Sequence, residues 1–192
     1  MNSIHTKKWR LAELGGDEKR YIDRINLLHN LGGRFNCLRE HQFIFDDEFL
    51  VLNSEYVKPS KELNYSSTLD ALKVLALELE SINSLMLHHG DIVARNTIWD
   101  GHRFVLVDWE PLLEYGTKPN TFFKSTKPYI SKLDKENFKI TSNTDKIGFY
   151  YFSKKKLFGW FPTNPLEVLK LEEYLISQSF VDLIELVCNG LG

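Results

Sequence analysis

Cysteine is scarce in this chain. Cys37 and Cys188 are the only two among 192 residues, and they lie far apart in apolar surroundings. That excludes a disulfide framework and reads as two reduced core thiols, which suits a reducing compartment. A surplus of one charge is also missing. The formal net charge is −2 and the sequence pI about 6.3, whereas general nucleic-acid binders carry a basic excess. The lysine run Lys154-Lys155-Lys156 reads as a solvated face. No long apolar run occurs: the start, MNSIHTKKWR, has no hydrophobic stretch of signal-peptide length, and no later segment could span a bilayer. Together these absences lead us to expect a cytoplasmic protein with no membrane span and no nucleic-acid partner; export by a route without a cleaved signal stays open. Repeats and low-complexity segments are absent as well.

What is present is apolar content of 43%, enough for one sizeable core or two small lobes sharing a cleft. DEKRYIDRINLLHNLGG (17–33) sets Ile22, Ile25, Leu28 and Leu31 near helical spacing and stops at two glycines. FNCLREHQFIF and EFLVLNSEYV alternate on either side of Asp46-Asp47, which predicts a β-hairpin ending near Glu55-Tyr56-Val57. VKPSKELNYSS is polar and carries a proline, hence a connector. Ser67 and Asp70 form a Ser-x-x-Asp box, predicting the start of a helix whose stripe is Leu69, Leu72, Leu75, Leu79, Ile82 and Met86. Asp100-Gly101 marks a tight turn between NTIW and the apolar strand RFVLVDW. Beyond Glu110 the chain reads as loop to Tyr129, followed by a buried helix or strand at 144–152 and one or two closing helices at 165–190. FGWF (158–161) is either local core or an exposed docking patch.

Residues 88–110, HHGDIVARNTIWDGHRFVLVDWE, hold the chemistry. A long helix leads into His89-Gly90-Asp91; Asn96 follows five residues after the aspartate, and Asp108 ends an apolar strand after a hairpin. Each polar residue alone has a plain explanation, such as a turn cap or a strand-end charge. Their joint order resembles the catalytic loop of the protein-kinase-like superfamily, which runs H-R-D-x-x-x-x-N and is followed by D-F-G. Gly90 in place of arginine, and Asp108-Trp109-Glu110, are closer to the aminoglycoside-phosphotransferase branch.

The resemblance implies an α+β, bilobal kinase-like fold: a reduced β-containing N-lobe over 1–57, with its hinge near 55–58, and a helical C-lobe over 58–192. It implies an enzyme moving the γ-phosphate of ATP to a hydroxyl with Mg²⁺. Asp91 would be the general base, and Asn96 and Asp108 the metal ligands. Glu55 and Val57 would border the adenine at the hinge. Lys7 or Lys8 would pair with the phosphates, and Glu18 or Asp23 on the first helix would be that lysine's partner. STKPYISKLD (125–134) resembles the end of an activation loop, and Asp145 would be the buried aspartate that holds the catalytic-loop backbone. Departures are plain too. No G-x-G-x-x-G occurs anywhere, the position of the family's Ala-Pro-Glu glutamate holds Leu133 beside Asp134, and no arginine follows Arg103 to pair with it. Gly90 also removes the arginine that would bind a phosphorylated activation loop. The acceptor is expected to be a protein serine or threonine, with a small hydroxylated molecule or sugar as the alternative. A non-catalytic binding module, or transfer of another part of ATP, stays open.

Overall fold

The computed structural model describes residues 4–10, 18–39, 41–45, 48–61, 64–109, 130–137, 140–159 and 165–190. Strand β1 (Ile4–Arg10) comes first, followed by helix α1 (Glu18–Leu31) and strands β2 (His41–Phe45) and β3 (Phe49–Glu55). α1 ends where its glycines begin: Gly32 N donates to Leu28 O at 3.0 Å, and Gly33 takes φ 75°, a left-handed value that a side chain would oppose. β2 and β3 pair antiparallel with Phe45 opposite Leu50, so the expected hairpin forms; Asp46-Asp47 itself lies outside the described residues. β1 pairs with the other edge of β3, giving the order β1-β3-β2. Leu50 and Leu52 are buried on the sheet's inner face.

After the connector, helix α2 (Tyr65–Ser84) runs 20 residues. The Ser67–Asp70 box does not start it. Asn64 is the cap: its Oδ1 accepts from Ser67 N at 2.9 Å, and Ser67 already lies inside the helix with Asp70 exposed beyond it. Leu72, Leu75, Leu79 and Ile82 are buried along the expected stripe, each contributing roughly 1.5–3 kcal/mol. Met86 leaves that stripe. The helix has ended by then, Met86 turns to φ 61° and faces solvent, and Leu87 enters the core instead.

Strands β4 (Thr97–Trp99) and β5 (Phe104–Leu106) form a second, two-stranded sheet around the Asp100-Gly101 turn. Helices α3 (Lys132–Asn137), α4 (Ser142–Phe158), α5 (Pro165–Ser177) and α6 (Phe180–Cys188) complete the described chain. The ambiguous 144–152 run is therefore helical and belongs to α4. One hydrophobic cluster joins Leu28, Leu31 and Cys37 to the α2 stripe, Phe149 of α4 and Leu183 of α6.

Two further expectations are corrected. Cys37 is buried but Cys188 is exposed, because α6 turns its last residue outward; both are free thiols. The lysine run is not a uniform solvated face either. Lys154 is buried with its ammonium 5.4 Å from the Tyr150 ring, and burial pulls its pKa down, while Lys155 stays exposed. Glu110 to Tyr129, and Trp160-Phe161 of the aromatic run, lie outside the described residues; Phe158 is exposed.

Candidate active site

The loop after α2 is held from beneath by one carboxylate. Asp145, in the first turn of α4 and fully buried, accepts from His89 N at 2.8 Å and from Gly90 N at 2.7 Å. Asn83 Nδ2 adds a longer bond at 3.3 Å, and the Asn83 Oδ1 meets His88 Nδ1 at 2.8 Å. A buried carboxylate is tolerated only when donors surround it in this way. Gly90 takes φ 83°, so the glycine answers a backbone need as well as the loss of an arginine. Further along α4, Gly148 lets that helix approach closely: an added Cβ would stand 3.0 Å from Ile92 O.

The imidazole of His89 ties the loop to the strand beyond it. Its Nδ1 accepts from Asp91 N at 3.2 Å, which assigns the ring proton to Nε2, 2.7 Å from Val107 O. Val107 N in turn donates to Asn96 O at 2.9 Å. Both backbone groups of Val107 are thus bonded to the 89–96 loop, and the next residue, Asp108, is delivered beside it. Trp109 is buried edge-on to His89, ring centroids 4.7 Å apart, with its Nε1 donating to Leu106 O. Asp108 adopts φ 66°, a conformation uncommon for a residue with a side chain and tolerated best by Asp and Asn. Such conformations cluster where function demands them.

Asp91 is buried, and its Oδ2 accepts from Asn96 Nδ2 at 2.9 Å and Arg95 Nη2 at 2.7 Å. Asn96 Nδ2 also lies 3.1 Å from Asp91 O. Both bonds commit the Asn96 amide nitrogen to Asp91. Lys7 ion-pairs with Asp108 across the cleft. Lys8 points the other way, its ammonium 3.6 Å from the Phe49 ring centroid, because neighbouring strand residues face opposite sides. Glu18 opens α1, but its side chain lies outside the described residues; Asp23 is exposed.

A cavity of about 210 Å³ brings several of these residues together. Lys7, Asn96 and Asp108 give it polar lining and Leu52, Ile98 and Leu106 apolar lining, and Glu55, Tyr56 and Val57 line it as well. Among the described residues no group of three or more His, Cys, Asp or Glu side chains forms a metal cage. The Asn96 amide and the Asp108 carboxylate are hard oxygen donors. Such a pair fits Mg²⁺, which commonly takes one or two protein oxygens and completes its shell from phosphates and water.

Two features were not anticipated from the sequence. Arg95 is one: its only sequence signal is a four-residue spacing from Asp91. The other is Asp134, whose carboxylate takes the Thr141 and Thr144 hydroxyls at 2.6 and 2.7 Å and their backbone N–H groups at 2.8 and 3.3 Å. It anchors the start of α4 and needs no arginine, while Leu133 beside it is half exposed. Outside the cavity, Asp100 is bound by Arg39 and Arg103. Burial pushes its carboxyl up, but the His102 and Arg103 backbone N–H groups and both guanidinium groups outweigh that and hold it below the usual value.

No family model matches the chain, and no curated protein matches it in sequence. Solved structures do. The crystal structure of Rad53 1–466 in complex with AMP-PNP aligns with a TM-score of 0.63 at 14% identity, over 96% of this chain and 52% of that one. The Mycobacterium tuberculosis PknI kinase domain, a double mutant, aligns with a TM-score of 0.60 at 14% identity, over 98% of this chain and 85% of that one. The chain therefore spans about half the length of the Rad53 structure. It has a protein-kinase-like fold, α+β, with a small sheet and many helices.

Proposed function

We propose that this chain is a phosphotransferase that moves the γ-phosphate of ATP to a hydroxyl, a protein serine or threonine being the favoured acceptor. The observation that carries the reading is the convergence of Lys7, Asn96 and Asp108 on one cavity, with Asp91 bonded to Asn96 beside it. ATP would enter between Leu52 and Leu106, with its base beside Glu55, Tyr56 and Val57. Lys7, now paired with Asp108, would turn to the phosphates, leaving the Asp108 carboxylate for the cation. Asn96 Oδ1 and Asp108 would hold Mg²⁺, which supplies charge neutralisation of the phosphate oxygens.

Asp91 orients the acceptor. Its carboxylate receives the hydroxyl proton as the acceptor oxygen bonds to the γ-phosphorus. The bond from that phosphorus to the bridging oxygen breaks, and its electron pair leaves with ADP. Asn96 and Arg95 keep the carboxylate in place through the step. The loop's fixed geometry, set by Asp145 and His89, supplies the positioning on which phosphoryl transfer depends. Transfer of radiolabelled γ-phosphate to a mixed protein acceptor is the test, with Asp91→Asn as control. Transfer by both proteins at equal rates would remove Asp91 from the mechanism.

A further inference from the structure

A second cavity, of about 670 Å³, meets the first at the 89–96 loop. Arg95 and Ile98 line both, so the two spaces share a wall at the residue that grips Asp91. Pro59 and Ser60 of the connector, Ala94 of the loop, Thr97 and Trp99 of β4, and the last turn of α4 border it. Arg95, Lys155 and Lys156 line it, and none of the described lining residues is acidic, although the chain as a whole is slightly acidic. Within it, Thr97 is 2% exposed and its Oγ1 has no hydrogen-bond partner among the described residues. A buried hydroxyl left without a partner is costly and calls for an explanation, such as an ordered water or a bound group.

We propose that this groove is the acceptor subsite and that it selects an acidic protein segment, one in which carboxylates flank the hydroxyl to be phosphorylated. The inference rests on the phosphotransferase reading and extends it to the substrate. Arg95 stands between the groove and Asp91, so an acceptor carboxylate drawn to Arg95 brings its neighbouring hydroxyl to the base. Lys155 and Lys156 face the more distant acidic residues. The lysines also sit in the last turn of α4, where cations complement the helix dipole. That role alone would affect stability and leave acceptor choice untouched.

Binding and transfer separate the possibilities. Fluorescein-labelled peptides carrying one serine flanked by glutamates, or by lysines, are titrated into wild type and the Lys155→Glu/Lys156→Glu variant with Mg²⁺ and a non-hydrolysable ATP analogue. Lys155→Gln/Lys156→Gln serves as the second variant should charge reversal impair folding. The glutamate peptide is expected to bind wild type, to weaken with added salt, and to lose about tenfold in affinity on charge reversal. Equal binding of both peptides, or no binding of either, would overturn the subsite. Phosphate transfer is then read with ATP. Peptide binding without transfer would leave the subsite standing and defeat the phosphotransferase reading, whereas transfer with no acidic preference would do the reverse.

Discussion

Asp91 sits in a bonding arrangement that a single atom can disturb. Asp91→Asn is expected to lower phosphate transfer by about 100- to 10,000-fold, the usual range for loss of a general base, while nucleotide binding persists. Lys7 and Lys8 make a sharper comparison, since only Lys7 reaches Asp108. Lys7→Met should weaken ATP affinity measured by calorimetry, and Lys8→Met should weaken it far less; the opposite order would contradict the site. The sequence left that pair open for a physical reason. Alternation tells which residues share a face but not which face meets the cleft, and that is set by the pairing of Lys7 opposite Leu52. The proximity of Asp91, Asn96 and Asp108 was readable because local spacing and one hairpin position them. Arg95 was not, because an arginine on a polar turn has many uses. The cysteines differ in the same way. Burial first, and then Glu78, raise the Cys37 thiol well above its ordinary value, so a thiol reagent at pH 8.5 should label Cys188 and spare Cys37.

Helices α2 and α4 carry the site, and their ends and contacts are testable as units. Asn64→Ala should cost about 1 kcal/mol by denaturant unfolding, against near zero for Asp70→Ala, because Asn64 makes the capping bond. A larger loss at Asp70 would restore the Ser67–Asp70 start. That start was misplaced because Asn64, Ser66 and Ser67 are all good caps within four residues, and the choice depends on where the connector lies. Gly148→Ala tests the approach of α4 to the loop. The new methyl group would press on Ile92, and we expect a cost of about 1–3 kcal/mol together with reduced transfer. The helical stripe of α2 was legible to Ile82, since burial of one face imposes its period. Its end at Ser84 was not, since Met86 continues the pattern in sequence while the backbone has already turned.

Taken whole, the molecule joins its parts through a continuous core and through ion pairs such as Arg39–Asp100, which ties the segment after α1 to the β4–β5 turn. Because the Asp100 carboxyl is held below its ordinary value, its stabilising contribution is full above about pH 4 and is lost as pH falls through the lowered folded-state value. Comparing acid unfolding of wild type with Asp100→Asn should show a stability gap at pH 6 that closes under acid; a constant gap would contradict it. The kinase-like order was legible at this scale because it rests on chain order and spacing. The groove beside Arg95 was not, because Pro59, Thr97 and Lys155 meet only through tertiary packing. The central claim is a working nucleotide site at Asn96 and Asp108. Its most direct test is thermal unfolding with ATP, with and without Mg²⁺, in wild type and Asp108→Asn. At 100-fold excess over Kd the account predicts a Mg²⁺-dependent rise on the order of 5–10 °C in wild type, lost in the variant. No rise at saturating ATP, or an equal rise in the variant, would contradict it.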